Sequence, residues 1–202
     1  MVRYDRGHKR RTRAAIVETA SQAFRGHGIE RVGVGDVMAR AGLTHGGFYA
    51  HFASKDALVA EACTSSLLET AGRVFGAQDG TAPERTLSQV IRAYLSRAHR
   101  DAPATGCTIA ALGGEIARRS PETRHAFTQA AQAYVDRLAL LLPKGADPDE
   151  AWALLAGMAG TVMLARAVDD PALSDRLLLA GRRLYGRAFG ADLETVRTEG
   201  NQ

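Results

Sequence analysis

Between Val34 and Phe52 the chain reads VGDVMARAGLTHGGFYAHF, and Lys55 follows three residues later. The side chains here suit recognition of a polyanion. His45 has a donor for a guanine acceptor or a phosphate. Thr44 stands where a hydroxyl and a helix N-terminus would meet a phosphate. Gly46 and Gly47 are adjacent. Two glycines inside a helix cost about 1 kcal/mol each against alanine, so something must offset them. Close approach of the backbone to DNA is one such reason. Tyr49 would place its hydroxyl on the sugar-phosphate backbone while its ring packs. His51 lies at the far end, near the groove wall, and Lys55 is placed as a phosphate clamp. Phe48 and Phe52 read as apolar core beneath them. His45 and His51, six residues apart, do not share a helical face, and no third ligand is near. A metal site is therefore not expected.

Those side chains need two short helices and a tight turn. Val34–Phe52 has this layout: a supporting helix near Gly35–Ala41, then Gly42 for a left-handed turn, then a helix over His45–Phe52 capped by Thr44. A helix-turn-helix lays its second helix in the major groove. The spacing predicts a first helix over Arg13–His27, capped by Thr12, with Ile16, Ala20, Ala23 and Phe24 on one face. A long helix over Lys55–Phe75 follows, capped by Ser54. A linker is expected over Gly76–Ala82.

Charge divides the same way. Residues 1–55 hold ten Lys/Arg against Asp5, Glu18, Glu30 and Asp36, a net of +6. The rest of the chain holds 16 of the 26 basic and 18 of the 22 acidic groups, a net of −2. Before the first helix lies a basic arm: Arg3, Arg6, Lys9, Arg10, Arg11 and Arg13 against Asp5. Arg11 and Arg13, closest to the helix start, are the expected phosphate contacts.

The second half repeats one punctuation mark. Pro83, Pro121, Pro148 and Pro171 each stand where a first helical turn would begin, with Ser120, Asp147 and Asp170 just ahead of three of them. Helices are expected at about 83–100, 107–119, 121–142, 148–169 and 171–189. The fold class is all-α, nine helices in all. An N-terminal three-helix DNA-binding domain over 1–55 precedes a helical bundle over 56–202.

On these residues the chain resembles the TetR family of transcriptional regulators. The likeness covers about Arg10 to Leu58 and rests on AFRGHGIERVGVGDVMARAG followed by LTHGGFYAHFASKDAL. It departs from the family at Val34 and Gly35, where members usually carry a Thr or Ser cap; Gly35, Asp36 or the backbone must cap here. The resemblance implies phosphate contacts at Tyr49 and Lys55, and a dimer formed by the last two helices. It also implies an apolar or aromatic effector that releases the protein from a near-palindromic operator. The segment GCTIAALGGEIARRSPETRHAF resembles a subgroup of that family that senses small aromatic compounds.

Residues 151–168, AWALLAGMAGTVMLARAV, are apolar nearly all round. Ala153, Ala156, Gly157 and Gly160 form a small-residue face. The last helix offers Leu173, Leu177, Ala180, Leu184 and Ala188. Either set would serve a homodimer or a monomer's own core, and a two-fold DNA site favours the homodimer. Candidates to line an effector pocket are Phe75, Tyr94, Cys107 and Leu112. Phe127, Tyr134, Trp152, Met158 and Met163 complete the set, although plain core packing competes at each.

No cofactor is expected. The chain has no phosphate-cradling glycine loop and no HExxH pair, and no nucleophilic triad is recognisable. Glu115, Glu150 and His99 read as scattered face residues. The two isolated cysteines, Cys63 and Cys107, point to a reducing cytoplasm. No apolar run is long enough for a membrane span, and no secretory signal is expected.

Overall fold

The computed structural model describes residues 6–76 and 85–190. In chain order the helices are α1 (Arg6–His27), α2 (Val34–Arg40), a 3-10 helix (His45–Ala50), α3 (Lys55–Phe75), α4 (Leu87–Tyr94) and α5 (Arg97–Asp101). A 3-10 turn (Pro103–Thr105), α6 (Thr108–Ile116), α7 (Pro121–Ala139), α8 (Pro148–Ala167) and α9 (Pro171–Ala188) follow. No strand occurs among the described residues, so the fold is all-α.

These elements pack into two compact units. The first takes Met1–Glu69 and Pro103–Gln132, the second Thr70–Ala102 and Ala133–Gln202. The expected division at 55/56 falls inside the first unit, at the start of α3.

The first unit is built on an apolar core. From α1 come Ile16, Ala20 and Phe24, from α2 Val37 and Met38, and from the 3-10 segment Phe48 and Phe52. Leu58, Val59 and Cys63 of α3 join them, with Leu112 and Ile116 of α6. Burying one such large side chain contributes about 1.5–3 kcal/mol. In the second unit α8 packs along α9. Gly157 lies against Tyr185 and Gly181 against Thr161, with no room for a Cβ at 157.

Several caps match the expectation from sequence. Ser54 accepts from the Ala57 amide at 3.1 Å, Ser120 from Thr123, Asp147 from Asp149 and Asp170 from Ala172. Other bounds move. The helix α1 starts at Arg6, so Thr12 lies inside it and does not cap it, and most of the supposed arm is helical. The run Lys9–Arg13 contains good helix formers and no breaker. Arg3 and Asp5 lie outside the described residues, as do Pro83 and all of the linker but Gly76.

The helix expected over 83–100 is two helices. Thr86 and Gln89 form a capping box on α4, and Ser96 caps α5. Between them the Leu95 carbonyl accepts from Arg182 Nε at 2.8 Å and Nη2 at 2.6 Å. The partner of that carbonyl comes from α9, which a local sequence reading does not see. On α9 the stripe Leu173–Leu177–Ala180–Leu184 is not the buried face. Ser174, Leu178 and Gly181 are buried, while Ala180 and Leu184 are exposed.

Candidate nucleic-acid interface

The recognition segment is framed before it begins. Gly28 closes α1 in the left-handed region, at φ +86°. Gly33 is the N-cap of α2 and has no side chain to cap the first turn; its own amide donates to Asp36 Oδ2 at 3.0 Å, the reciprocal half of a capping box. The same helix ends at Gly42 (φ +71°) in a Schellman turn, with Gly42 N bonding Ala39 O at 3.0 Å and Leu43 N bonding Met38 O at 2.8 Å.

The next element was expected to be an α-helix over His45–Phe52. It is a 3-10 helix ending at Ala50, and the Thr44 side chain makes no capping bond. Its bonds run from Gly47 N to Thr44 O at 3.1 Å and from His51 N to Phe48 O at 2.9 Å. The paired glycines carry little helix preference, and the tighter i→i+3 turn satisfies the backbone over this short stretch.

Two rings anchor the segment. Phe48 and Phe52 are buried with ring centroids 5.6 Å apart. Tyr49 stands edge-on to Phe48 at 5.3 Å yet is 69% exposed. Thr44, His45 and Gly46 are exposed beside it, and Gly47 is half-buried. A Cβ on Gly46 would meet nothing within 4 Å, so no packing inside the protein demands a glycine there. A Cβ on Gly35 would come within 3.2 Å of His45 Nδ1, so the small residue at 35 leaves room for that imidazole.

The cations behave differently from one another. Arg10 and Arg11 are exposed on α1. Arg13 turns to the protein itself. Its Nε donates to Glu61 at 3.0 Å, Nη1 donates to the His51 carbonyl, and its guanidinium carbon lies 4.0 Å over the Phe52 ring. Lys55 Nζ donates to the Ile29 carbonyl at 2.6 Å. His51 is half-buried. Burial, and then the charges of Lys9, Arg13 and His8, hold its pKa below the usual histidine value. It therefore stays neutral near pH 7 in the free protein.

The expected pocket residues fall in different places. Leu112 belongs to the core of the first unit, with Phe127 packed against that core, and Cys107 is buried in the same unit. Phe75, Tyr94, Tyr134 and Met158 are buried in the second unit. Trp152 and Met163 lie on the surface of α8, 37% and 56% exposed. Phe75 and Tyr134 meet at a tilt with centroids 4.8 Å apart, and Tyr94 meets His99 edge-on at 4.7 Å. No cluster of three or more metal-binding side chains occurs among the described residues.

Glu115 and His99, expected as face residues, are half-buried and hydrogen-bonded to the protein. Glu115 Oε2 accepts from the Ile29 and Glu30 amides at 2.8 and 3.3 Å. The His99 ring bonds the Tyr94 carbonyl at 2.6 Å through Nδ1. Their partners are far along the chain or on another element, and periodicity carries no sign of either.

An exposed tyrosine and open glycine on a short helix, pinned by two phenylalanines behind a Schellman turn, define a helix-turn-helix module within an all-helical protein. Residues 16–62 match the family of bacterial regulatory proteins called tetR. The HTH-type transcriptional regulator TtgR of Pseudomonas putida is 41% identical over 70 residues, 35% of this chain and 33% of that protein. The match thus spans about a third of TtgR's length. The uncharacterized HTH-type transcriptional regulator YfiR of Bacillus subtilis is 27% identical over 146 residues, covering 71% of this chain and 69% of that protein. Reduced NemR of E. coli superposes with a TM-score of 0.70 at 18% identity, over 88% of this chain and 96% of that one. The chain carries the TetR-family N-terminal domain and has the fold of that family's regulators. The relatives it matches in sequence are transcriptional regulators.

Proposed function

We propose that this protein is a DNA-binding transcriptional regulator, a repressor that acts as a homodimer on a near-palindromic operator and leaves it when an apolar or aromatic effector binds. The exposed Tyr49 ring beside the unobstructed Gly46 carries the reading, because most of the ring meets no protein and no packing demands the glycine. Thr44, His45, Gly46 and Gly47 face the groove in this account, and Tyr49 with Arg10 and Arg11 holds phosphates. Arg13 and Lys55, engaged with the protein, fix the frame that presents them. The DNA-binding domain over 1–55 and the effector and dimer region over 56–202 remain the functional division. In this account the effector enters the second unit among Phe75, Tyr94 and Tyr134, whose rings fill the space on one another and on His99 in the free protein. The protein works in the cytoplasm, beside its DNA.

The test is selection of duplexes from a random pool, followed by binding measurements at two salt concentrations. We expect a selected near-palindrome whose affinity falls steeply with salt. Tyr49→Ala should weaken it at least about tenfold, or 1.4 kcal/mol. Selection of no sequence, or equal binding by Tyr49→Ala, would overturn the assignment.

A further inference from the structure

We infer that Glu115 and Arg119, at the corner between α6 and α7, are positioning residues for DNA reading. They hold the two chain segments that bracket the helix-turn-helix. This rests on the proposed DNA-binding function.

The turn Gly28–Glu30 leads into α2, and the first turn of α3 receives the chain after the recognition segment. The corner grips both. Glu115 takes the amides of Ile29 and Glu30 on one carboxylate oxygen, across 86 residues of sequence in the first case. A Cβ on Gly28 would lie 2.9 Å from the other oxygen, Oε1, so the glycine leaves the space in which the carboxylate sits. Arg119 continues the grip with one guanidinium. Its Nη1 pairs with Glu30 at 2.5 Å and its Nη2 pairs with Asp56 in the first turn of α3. Thr123 Oγ1 then donates to the Asp56 carbonyl at 3.3 Å. Lys55 closes the circle by donating to Ile29 O.

Every polar group of Ile29 is therefore spoken for, its amide by α6 and its carbonyl by α3. A carboxylate accepting backbone amides and an arginine shared by two carboxylates are charge-assisted contacts of defined geometry. The exposed residues of the recognition segment, Thr44, His45, Gly46 and Tyr49, are held from both ends by this frame. The corner acts by aim, not by touching DNA.

The experiment pairs two readouts in the full-length protein. One is amide exchange at Ile29 and Glu30; the other is affinity for the duplex that wild type selects from a random pool, across a salt series. Glu115→Ala should speed exchange at those two amides and weaken binding about tenfold. The slope of affinity against salt should not change, because no phosphate contact is lost. Glu115→Gln keeps an acceptor oxygen and should recover most of the affinity. Arg119→Leu leaves Glu115 in place and should weaken binding at the same unchanged slope, which keeps the test open should Glu115→Ala fail to fold. Released amides with unchanged affinity would overturn the inference. So would unchanged exchange, or a salt slope reduced by about one, the mark of a direct phosphate contact. A wild type that selects no duplex would sink the DNA-binding function itself, and this inference with it; a wild type that binds alongside equally active variants would sink the inference alone.

Discussion

A glycine that nothing crowds is an odd choice inside a short helix. Gly46 is exposed, does not take a positive φ, and has open space where a Cβ would be. Alanine there should therefore stabilise the protein by about 0.4–1 kcal/mol, by restricting the unfolded chain. If DNA backbone or a base edge approaches Gly46, the same methyl should weaken duplex binding. Denaturation and binding curves of Gly46→Ala should thus move in opposite directions; greater stability with undiminished binding would remove the close-approach argument. His99 offers a pH prediction at the same scale. Burial lowers its pKa most; the bond to the Tyr94 carbonyl works the other way, and Arg166 and Arg73 lower it further. The folded protein prefers the neutral ring, and the unfolded chain titrates near 6.5. Stability is intact above about pH 6.5 and falls as pH drops from there through the lower folded value. His51 has the same sign. Thermal midpoints at about pH 7 and about pH 5.5 should differ in wild type and differ less in His99→Gln. Equal pH dependence in the two proteins would refute the assignment to His99.

Elements obey a similar division between local and distant causes. The pairing of α8 with α9 depends on Gly157, where a Cβ would sit 2.6 Å from Tyr185 Oη. Tyr185 is itself placed by a 3.2 Å contact between its hydroxyl and Thr161 Oγ1. Gly157→Ala should cost about 1–3 kcal/mol as overpacking, despite alanine's better helix propensity. A neutral or stabilising result in chemical denaturation would show that the ring swings clear. The glycine is visible in the sequence, but its partner is not: the small-residue pattern at 153, 156, 157 and 160 marks a close approach without saying to what. In the structure Gly157 meets its own chain while Ala153 and Ala156 are exposed. The other readings divide likewise. Proline-led starts with Ser or Asp caps were legible because cap and proline are adjacent. The α4–α5 break is less so: Ser96, which caps α5, is local, but the Arg182 guanidinium that satisfies the Leu95 carbonyl at the break comes from α9. Phe48 and Phe52 read as core from the sequence, and both are buried; Tyr49, whose ring was expected to pack, is 69% exposed. The inward turn of Arg13 required Glu61, 48 residues away. The 3-10 form of the recognition segment suits the two glycines, whose cost in a helix is legible in the sequence although the helix type is not.

At the scale of the whole molecule the unanswered surface is on the second unit. The buried face of α8 holds Leu154, Leu155, Met158 and Val162. Its other side exposes Trp152, Ala153, Ala156 and Met163, and α9 adds Leu179 and Leu184. A helix apolar on both sides needs a second partner, and large exposed apolar side chains in one neighbourhood mark an interface. One helix-turn-helix makes few base contacts, and a two-fold pair doubles them on a palindrome. A charge placed on this surface should therefore act at a distance from the DNA. We expect Met163→Glu with Leu184→Glu to leave helix content near wild type, since both side chains are already more than half exposed. Sedimentation should show the wild type as a dimer at micromolar concentration and the variant as a monomer. Duplex affinity should drop in step, by about a hundredfold or more, because linking two weak half-site contacts raises their joint affinity by that order. The loss should be regained as protein concentration rises, which separates lost pairing from a damaged reading head. A variant that stays dimeric, or a monomer that binds the full site as tightly as wild type, would move the interface elsewhere and leave the apolar side of α8 to another partner.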